Sequence, residues 1–288
     1  MKTSVIHPGT FKLDGGAMFG IIPKPLWERK ITPDNKNRIL MSLRLVLFET
    51  KNKKILIDTG IGDYHGQRFE EQFDLQLPKN PIVEALKEAN INGDEITDIV
   101  LTHLHFDHAG GLGTGADGTT PVFPNATLHL HEKHLEYAQN SSQRDAGSFH
   151  VKNFLPLIKF YKEKNRINLL NQLEGTILSD AYDSLKYKVS FGHTPYMIHP
   201  YNDKVIYMAD LVPMEHHVHV PWVMGYDIEP AVTTKYKQEF YNFILENDLS
   251  MIFEHDNESV MSKLQKDGHK FSSLDPLTST KGKIQSVD

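Results

Sequence analysis

Thr102-His103-Leu104-His105-Phe106-Asp107-His108-Ala109-Gly110-Gly111 places four metal-capable side chains within six residues. The apolar run Ile99-Val100-Leu101 just before it has the composition of a buried strand. Imidazole and carboxylate donors together suit zinc and similar divalent ions. His103 and His105 need one distant partner to hold an ion, while Asp107 and His108 begin a second site. Gly110-Gly111 lets the backbone turn tightly beneath them. With 16 histidines and 20 aspartates in 288 residues, chance would produce H-x-H-x-D-H about 0.003 times per chain. The segment is therefore a functional candidate.

Outward from it, further donors fall at the ends of expected strands. Residues 41–49 and 53–58 have strand patterns about the turn Lys51-Asn52, and the second ends in Asp58-Thr59-Gly60. Residues 81–90 suit a helix with proline in its first turn, and 98–101 form the strand that feeds the metal segment. A strand at 127–131 and a short helix at 132–139 come next. Strands at 185–191 and 204–209 end at Gly192-His193 and Asp210. A helix at 231–247 precedes the strand 250–253, which runs into Glu254-His255-Asp256. This alternation predicts an α/β scaffold, as one domain over 1–288. Residues 61–80, 112–121 and 141–168 are expected as decoration, with 151–163 helical, and the polar residues 266–288 as a peripheral tail.

Composition narrows the function. The formal net charge is −6 with no dense Lys/Arg run, which disfavours nucleic acid as a partner. There is no cysteine, so any metal must be held by nitrogen and oxygen donors. The N-terminal stretch lacks the apolar core of about 7–15 residues that marks a signal peptide. No segment approaches the roughly 20 apolar residues of a membrane span. A cytoplasmic enzyme is the simplest expectation, and a homodimer is left open.

Asp58-Thr59-Gly60, H-x-H-x-D-H, Gly192-His193-Thr194, Asp210 and His255 resemble, in this order, the motifs of the metallo-β-lactamase superfamily. The resemblance spans residues 40–256. It implies an αββα sandwich with a dinuclear metal site at one edge of its two sheets. Carried over by position, His103, His105 and His193 would hold the first metal. Asp107, His108 and His255 would hold the second, with Asp210 bridging the two. Asp58 would orient a ligand histidine through its far ring nitrogen. Zinc is the expected metal, with Mn, Fe or Co as alternatives. His269 competes with His255, but it sits in the polar stretch Lys266-Asp267-Gly268-His269-Lys270 with no strand before it.

The resemblance also implies hydrolysis, in which a metal-bridging hydroxide attacks a small ester or lactone and Asp107 relays a proton to the leaving oxygen. Chain length, the run Pro221-Trp222-Val223-Met224-Gly225-Tyr226-Asp227 and Phe253-Glu254-His255-Asp256 look like the quorum-quenching N-acyl homoserine lactonase branch. The alternative is phosphotriester or arylester hydrolysis of the methyl parathion hydrolase type. Phe19, Phe106, Trp222, Tyr226 and His217 are the candidate pocket residues; His216, His217 and His219 are expected to line the pocket or support the metal ligands, with a surface position as the alternative for at least one of them. Two departures stand out. Several lactonases of the superfamily carry tyrosine three residues after the bridging aspartate, where this chain has Pro213. The usual Gly-His-Thr-Pro-Gly loop here ends in Tyr196.

Overall fold

In the computed structural model, which describes residues 1–179, 183–280 and 282–288, two seven-stranded sheets carry the fold. The first runs, edge to edge, Ile284–Ser286, Lys2–Asp14, Arg38–Glu49, Lys54–Ile57, Asp98–Val100, Thr127–His131 and Ile167–Leu170. The second runs Lys270–Thr278, Ser259–Asp267, Ser250–Ile252, Val205–Tyr207, Met197–Tyr201, Ser184–Ser190 and Glu174–Ser179.

Side-chain alternation along the strands sorts the layers. In Arg38–Glu49, Val46 and Phe48 join Ile206, Met251 and Phe253 of the second sheet in the core between the sheets. Their neighbours Leu45 and Leu47 face the other way, onto Ile82 and Leu86 of helix Pro81–Glu88 and Leu157 and Ile158 of helix Val151–Glu163. Phe240, Tyr241 and Ile244 of helix Pro230–Glu246 pack against the second sheet. The result is the αββα sandwich. Among the described residues no helix is long and apolar enough to cross a membrane.

Strand direction then decides where loops gather. Lys54–Ile57, Asp98–Val100, Thr127–His131 and Ile167–Leu170 are mutually parallel, so their C-terminal ends share one edge. Val205–Tyr207 and Ser250–Ile252 are parallel likewise. Ligand sites form outside such strand ends in open α/β sheets.

One sequence expectation about the fold needs correction. Residues 266–288 do not form a peripheral tail. Ser259–Asp267 and Lys270–Thr278 pair as a hairpin on the second sheet, with exposed His269 at its turn, and Ile284–Ser286 is the edge strand of the first. One solvated face makes these edge strands polar, which hides them in the sequence. The N-terminal strand Lys2–Asp14 is equally hard to read there, because Pro8-Gly9 interrupts it. A register shift between Ile6 and Gly9 absorbs the pair. The backbone of Gln76 approaches so closely there that a Cβ on Gly9 would lie 2.4 Å from its carbonyl oxygen.

Candidate metal centre

Seven donors reach the shared edge from both sheets. His103 and His105 come from the loop after Asp98–Val100 and Asp107 and His108 from the short helix Phe106–Ala109 that ends it, while His193, Asp210 and His255 follow strands of the second sheet. The first loop is held by Asp58-Thr59-Gly60. Thr59 N–H donates to the His108 carbonyl (2.7 Å) and Gly111 N–H to that of Gly60 (2.8 Å). A Cβ on Gly111 would fall 2.1 Å from the Thr59 carbonyl oxygen, so only glycine allows this contact.

Hydrogen bonds on the outer ring nitrogens aim the inner ones. Thr102 donates to Asp58 through its N–H and its hydroxyl (2.7 Å each), so its oxygen can accept only from His103 Nδ1 (3.0 Å). His108 Nδ1 donates to Asp58 (2.9 Å), His193 Nδ1 to Asp227 (2.9 Å) and His255 Nδ1 to the Ser42 carbonyl (3.0 Å). Each of these histidines thereby turns Nε2 inward, the nitrogen left to bind a metal once it is free of a proton. His103 Nε2 lies 3.0 Å and His193 Nε2 3.2 Å from His105 Nδ1. Asp210 stands among them, with Oδ2 3.0 Å from His193, 3.5 Å from His108 and 3.9 Å from His103, and Oδ1 3.2 Å from His255.

Donor atoms of His103, His105, His193 and Asp210 all lie within 4.8 Å of one another, and so do those of His108, Asp210, Glu254 and His255. His108 Nε2 and Asp210 Oδ1 are buried without a hydrogen-bond partner. Converging lone pairs and orphaned buried atoms fit divalent cations and fit little else. Asp107 Oδ2 is 3.7 Å from His255 Nε2, at the second group's rim. Glu254 faces the other side of His108, 3.0 Å from Nδ1, so it backs that ring together with Asp58 rather than sharing its inner face. Glu254 and Asp227 are not legible as site residues in the sequence. Both flank recognised features, but their contacts depend on loop paths that no motif spacing encodes.

Burial and charge compete throughout the centre. Burial pushes His103 and His105 well below the ordinary imidazole range, and neighbouring histidines add to this. Burial would lower His193 and His255 too, but for His193 the charge and hydrogen bonds of Asp210 and Asp227 outweigh it. For His255 the charges of Glu254 and Asp210 do so. The results are about 10 and about 9. At neutral pH both rings therefore hold a proton that a metal must displace. Metal uptake is expected to release protons, and affinity to rise with pH up to about 9, on the order of tenfold per pH unit for each proton. Calorimetry in buffers of differing ionisation enthalpy measures this, and uptake without proton release would contradict it. Asp227→Ala removes the acceptor that aims His193 and is expected to weaken metal binding about 10–100-fold. Chelator competition tests this, and an unchanged affinity would show that His193 needs no such support.

A cavity of about 240 Å³ opens above the donors, lined by Met18, Met41, Phe73, Phe106, Met224 and Tyr226 with His105, Asp107, His193, Asp210 and His255. Of the five pocket candidates, Phe106 and Tyr226 line it. Phe19, His217 and Trp222 pack outside its lining. Phe19 is wholly buried between Trp27 (ring centroids 5.3 Å) and His217 (5.0 Å), and Trp222 meets it edge-on. His217 Nε2 also hydrogen-bonds the Met18 carbonyl (2.8 Å), which ties it to the fold. His216 borders a separate surface hollow with Lys30 and Asp256.

A profile of the metallo-beta-lactamase superfamily matches residues 45–255. The N-acyl homoserine lactonase AiiA of Bacillus thuringiensis subsp. kurstaki is 36% identical over 102 residues, covering 31% of this chain and 39% of that relative. The chain thus spans about two fifths of the length of the curated relatives it matches. A probable metal-dependent hydrolase from Staphylococcus aureus has a similar fold, with a TM-score of 0.80 at 24% identity over 96% of this chain and 97% of that one. AidC, a dizinc quorum-quenching lactonase in complex with a product, superposes with a TM-score of 0.74 at 19% identity over 94% and 93% of the two chains. At these identities the structural likeness concerns the fold.

Proposed function

The chain belongs to the metallo-beta-lactamase superfamily, and from that premise we propose that it is a dinuclear metal hydrolase that opens N-acyl homoserine lactones. The observation that carries this is the position of the donor cluster at the base of an apolar cavity large enough for a short acyl chain. The 36% identity to a lactonase over part of the chain supports the choice of substrate. His103, His105 and His193 would hold one ion, and His108, His255 and Asp107 the other, with Asp210 shared. Zinc is the favoured metal for this donor set. Two bound divalent ions would bring a water's pKa down to about 7 and polarise the substrate carbonyl.

The chain's own groups do the rest. Met18, Met41, Phe73 and Met224 take the acyl chain and exclude water from the reacting end. Asp107 Oδ2, beside His255 and open to the cavity, would relay a proton to the leaving ring oxygen. Pro213 has no donor where related lactonases place a tyrosine, so Tyr226, in the cavity wall, is the phenol available to the carbonyl. Pro213 equally favours a second reading, phosphotriester or arylester hydrolysis at the same centre.

The deciding experiment gives the zinc-loaded protein homoserine lactones of several acyl lengths, paraoxon-type triesters and aryl acetates, with metal content measured in parallel. Lactone opening faster than the other reactions is the expected result. Faster triester or arylester cleavage would transfer the assignment to the second reading, and turnover unaffected by complete metal removal would reject both.

A further inference from the structure

Helix Pro230–Glu246 carries one lysine on its buried face. Lys237 is fully enclosed, and among the described residues no carboxylate lies within ion-pair distance of it. Its ammonium donates to three main-chain carbonyls, those of His219 (3.0 Å), Val220 (3.2 Å) and Trp222 (2.9 Å). Three donors meet three acceptors, which is the full capacity of an ammonium. Burying a cation this way is costly, and burial depresses Lys237 to about 7. A leucine or methionine would fill the same space without that cost, so the ties themselves are what the lysine supplies.

The segment so tied leads directly into the cavity wall. Two residues beyond Trp222 comes Met224, then Tyr226, both cavity-lining. One residue before His219, the Val218 carbonyl accepts from Tyr241, one turn beyond Lys237 on the same helix (2.8 Å). Its far end is fixed by Gly225 N–H on the Ala17 carbonyl (2.7 Å) and by Asp227, which holds His193. Lys237 thus fixes one end of a span whose other end is anchored to the metal centre.

We propose that Lys237 is a positioning residue for substrate selection: by gathering the carbonyls of residues 219–222 it sets where Met224 stands, and so how long an acyl chain the cavity accepts. This rests on the acyl-substrate reading above. It touches neither metal nor reacting atoms, so its signature is a change in binding rather than in turnover.

Lys237→Met and Lys237→Gln test it, with metal content, thermal stability, kcat and KM measured on butanoyl, hexanoyl and decanoyl homoserine lactones and on p-nitrophenyl esters of the same acids. Calorimetry with the ring-opened products reads the same dependence without turnover. The expected result for Lys237→Met is a KM about tenfold higher for the decanoyl substrate, a smaller rise for butanoyl, kcat within about twofold and unchanged metal content. Lys237→Gln, which keeps two donors, should recover part of the loss. A folded Lys237→Met protein whose chain-length profile parallels the wild type would overturn the proposal, as would an equal loss at every length. If Lys237→Met does not fold, Lys237→Gln decides by the same comparison. A wild type inactive on the lactones but active on the esters rejects the lactone assignment alone, and the ester series then decides the role of Lys237.

Discussion

Asp210→Ala is expected to lower hydrolysis by about a thousandfold or more and to leave less than one firmly bound metal per chain. Among the described residues no other carboxylate approaches four imidazoles at once, with contacts of 3.0 to 3.9 Å to His193, His255, His108 and His103. Burial alone would raise Asp210, but the charges of His193, His108 and His255 hold it well below the usual carboxylate range. Alanine would leave the imidazole nitrogens facing one another without a shared anion, and each donor group would lose a ligand. Asp210→Asn separates shape from charge: it keeps the volume and should still lose most of the metal. Elemental analysis beside initial rates measures both effects. Either variant retaining two ions and wild-type rates would remove Asp210 from the centre.

Arg44→Met should act on the fold first, with a loss of about 3–5 kcal/mol, or roughly 6–15 °C in melting temperature. Arg44 lies in strand Arg38–Glu49 and is wholly buried. It donates to the carbonyls of Phe253, Ser259 (3.3 Å) and Asp256 (2.7 Å), which bracket Glu254 and His255. Methionine leaves these oxygens without their donor inside the core, at about 1–3 kcal/mol each less whatever relaxation recovers. Because the same carbonyls set the path through His255, the surviving folded protein should also bind metal more weakly. Urea melts of the metal-free and zinc-loaded forms read the two consequences separately. A midpoint within experimental error of the wild type would mean that water or another donor serves the loop.

How far the sequence discloses such features depends on how local their causes are. H-x-H-x-D-H is readable because its donors and the preceding apolar strand are contiguous. Asp210 and His255 are readable because each comes just after an apolar run, and His193 because its Gly-His-Thr-Pro motif follows an alternating strand pattern; in each case a strand carries the residue at its C-terminal end to the sheet edge. Asp227 lies in a loop with no such signal, and its contact with His193 spans 34 residues of intervening chain. Arg44 reads as an ordinary polar break in a strand, since nothing nearby reveals the carbonyls it will meet. Phe19 and Trp222 illustrate a different limit. Aromatic composition identifies residues that gather near a cavity, but it cannot distinguish the wall from the layer stacked behind it. Polarity conceals the second-sheet hairpin, and Pro8-Gly9 conceals the first strand.

Because the donors come from both sheets, a metal bound among them would have a role in folding as well as in chemistry. His105 and His193, whose ring nitrogens lie 3.2 Å apart, are separated by 88 positions along the chain. An ion held between them acts as a reversible cross-link, closing a long loop and fastening one half of the sandwich to the other. Free metal at a hundred times its dissociation constant would add about 2.7 kcal/mol to global stability. Amide exchange should slow together in the strands of both sheets that lead into the donors, and loading the centre should make the two halves unfold as one cooperative unit.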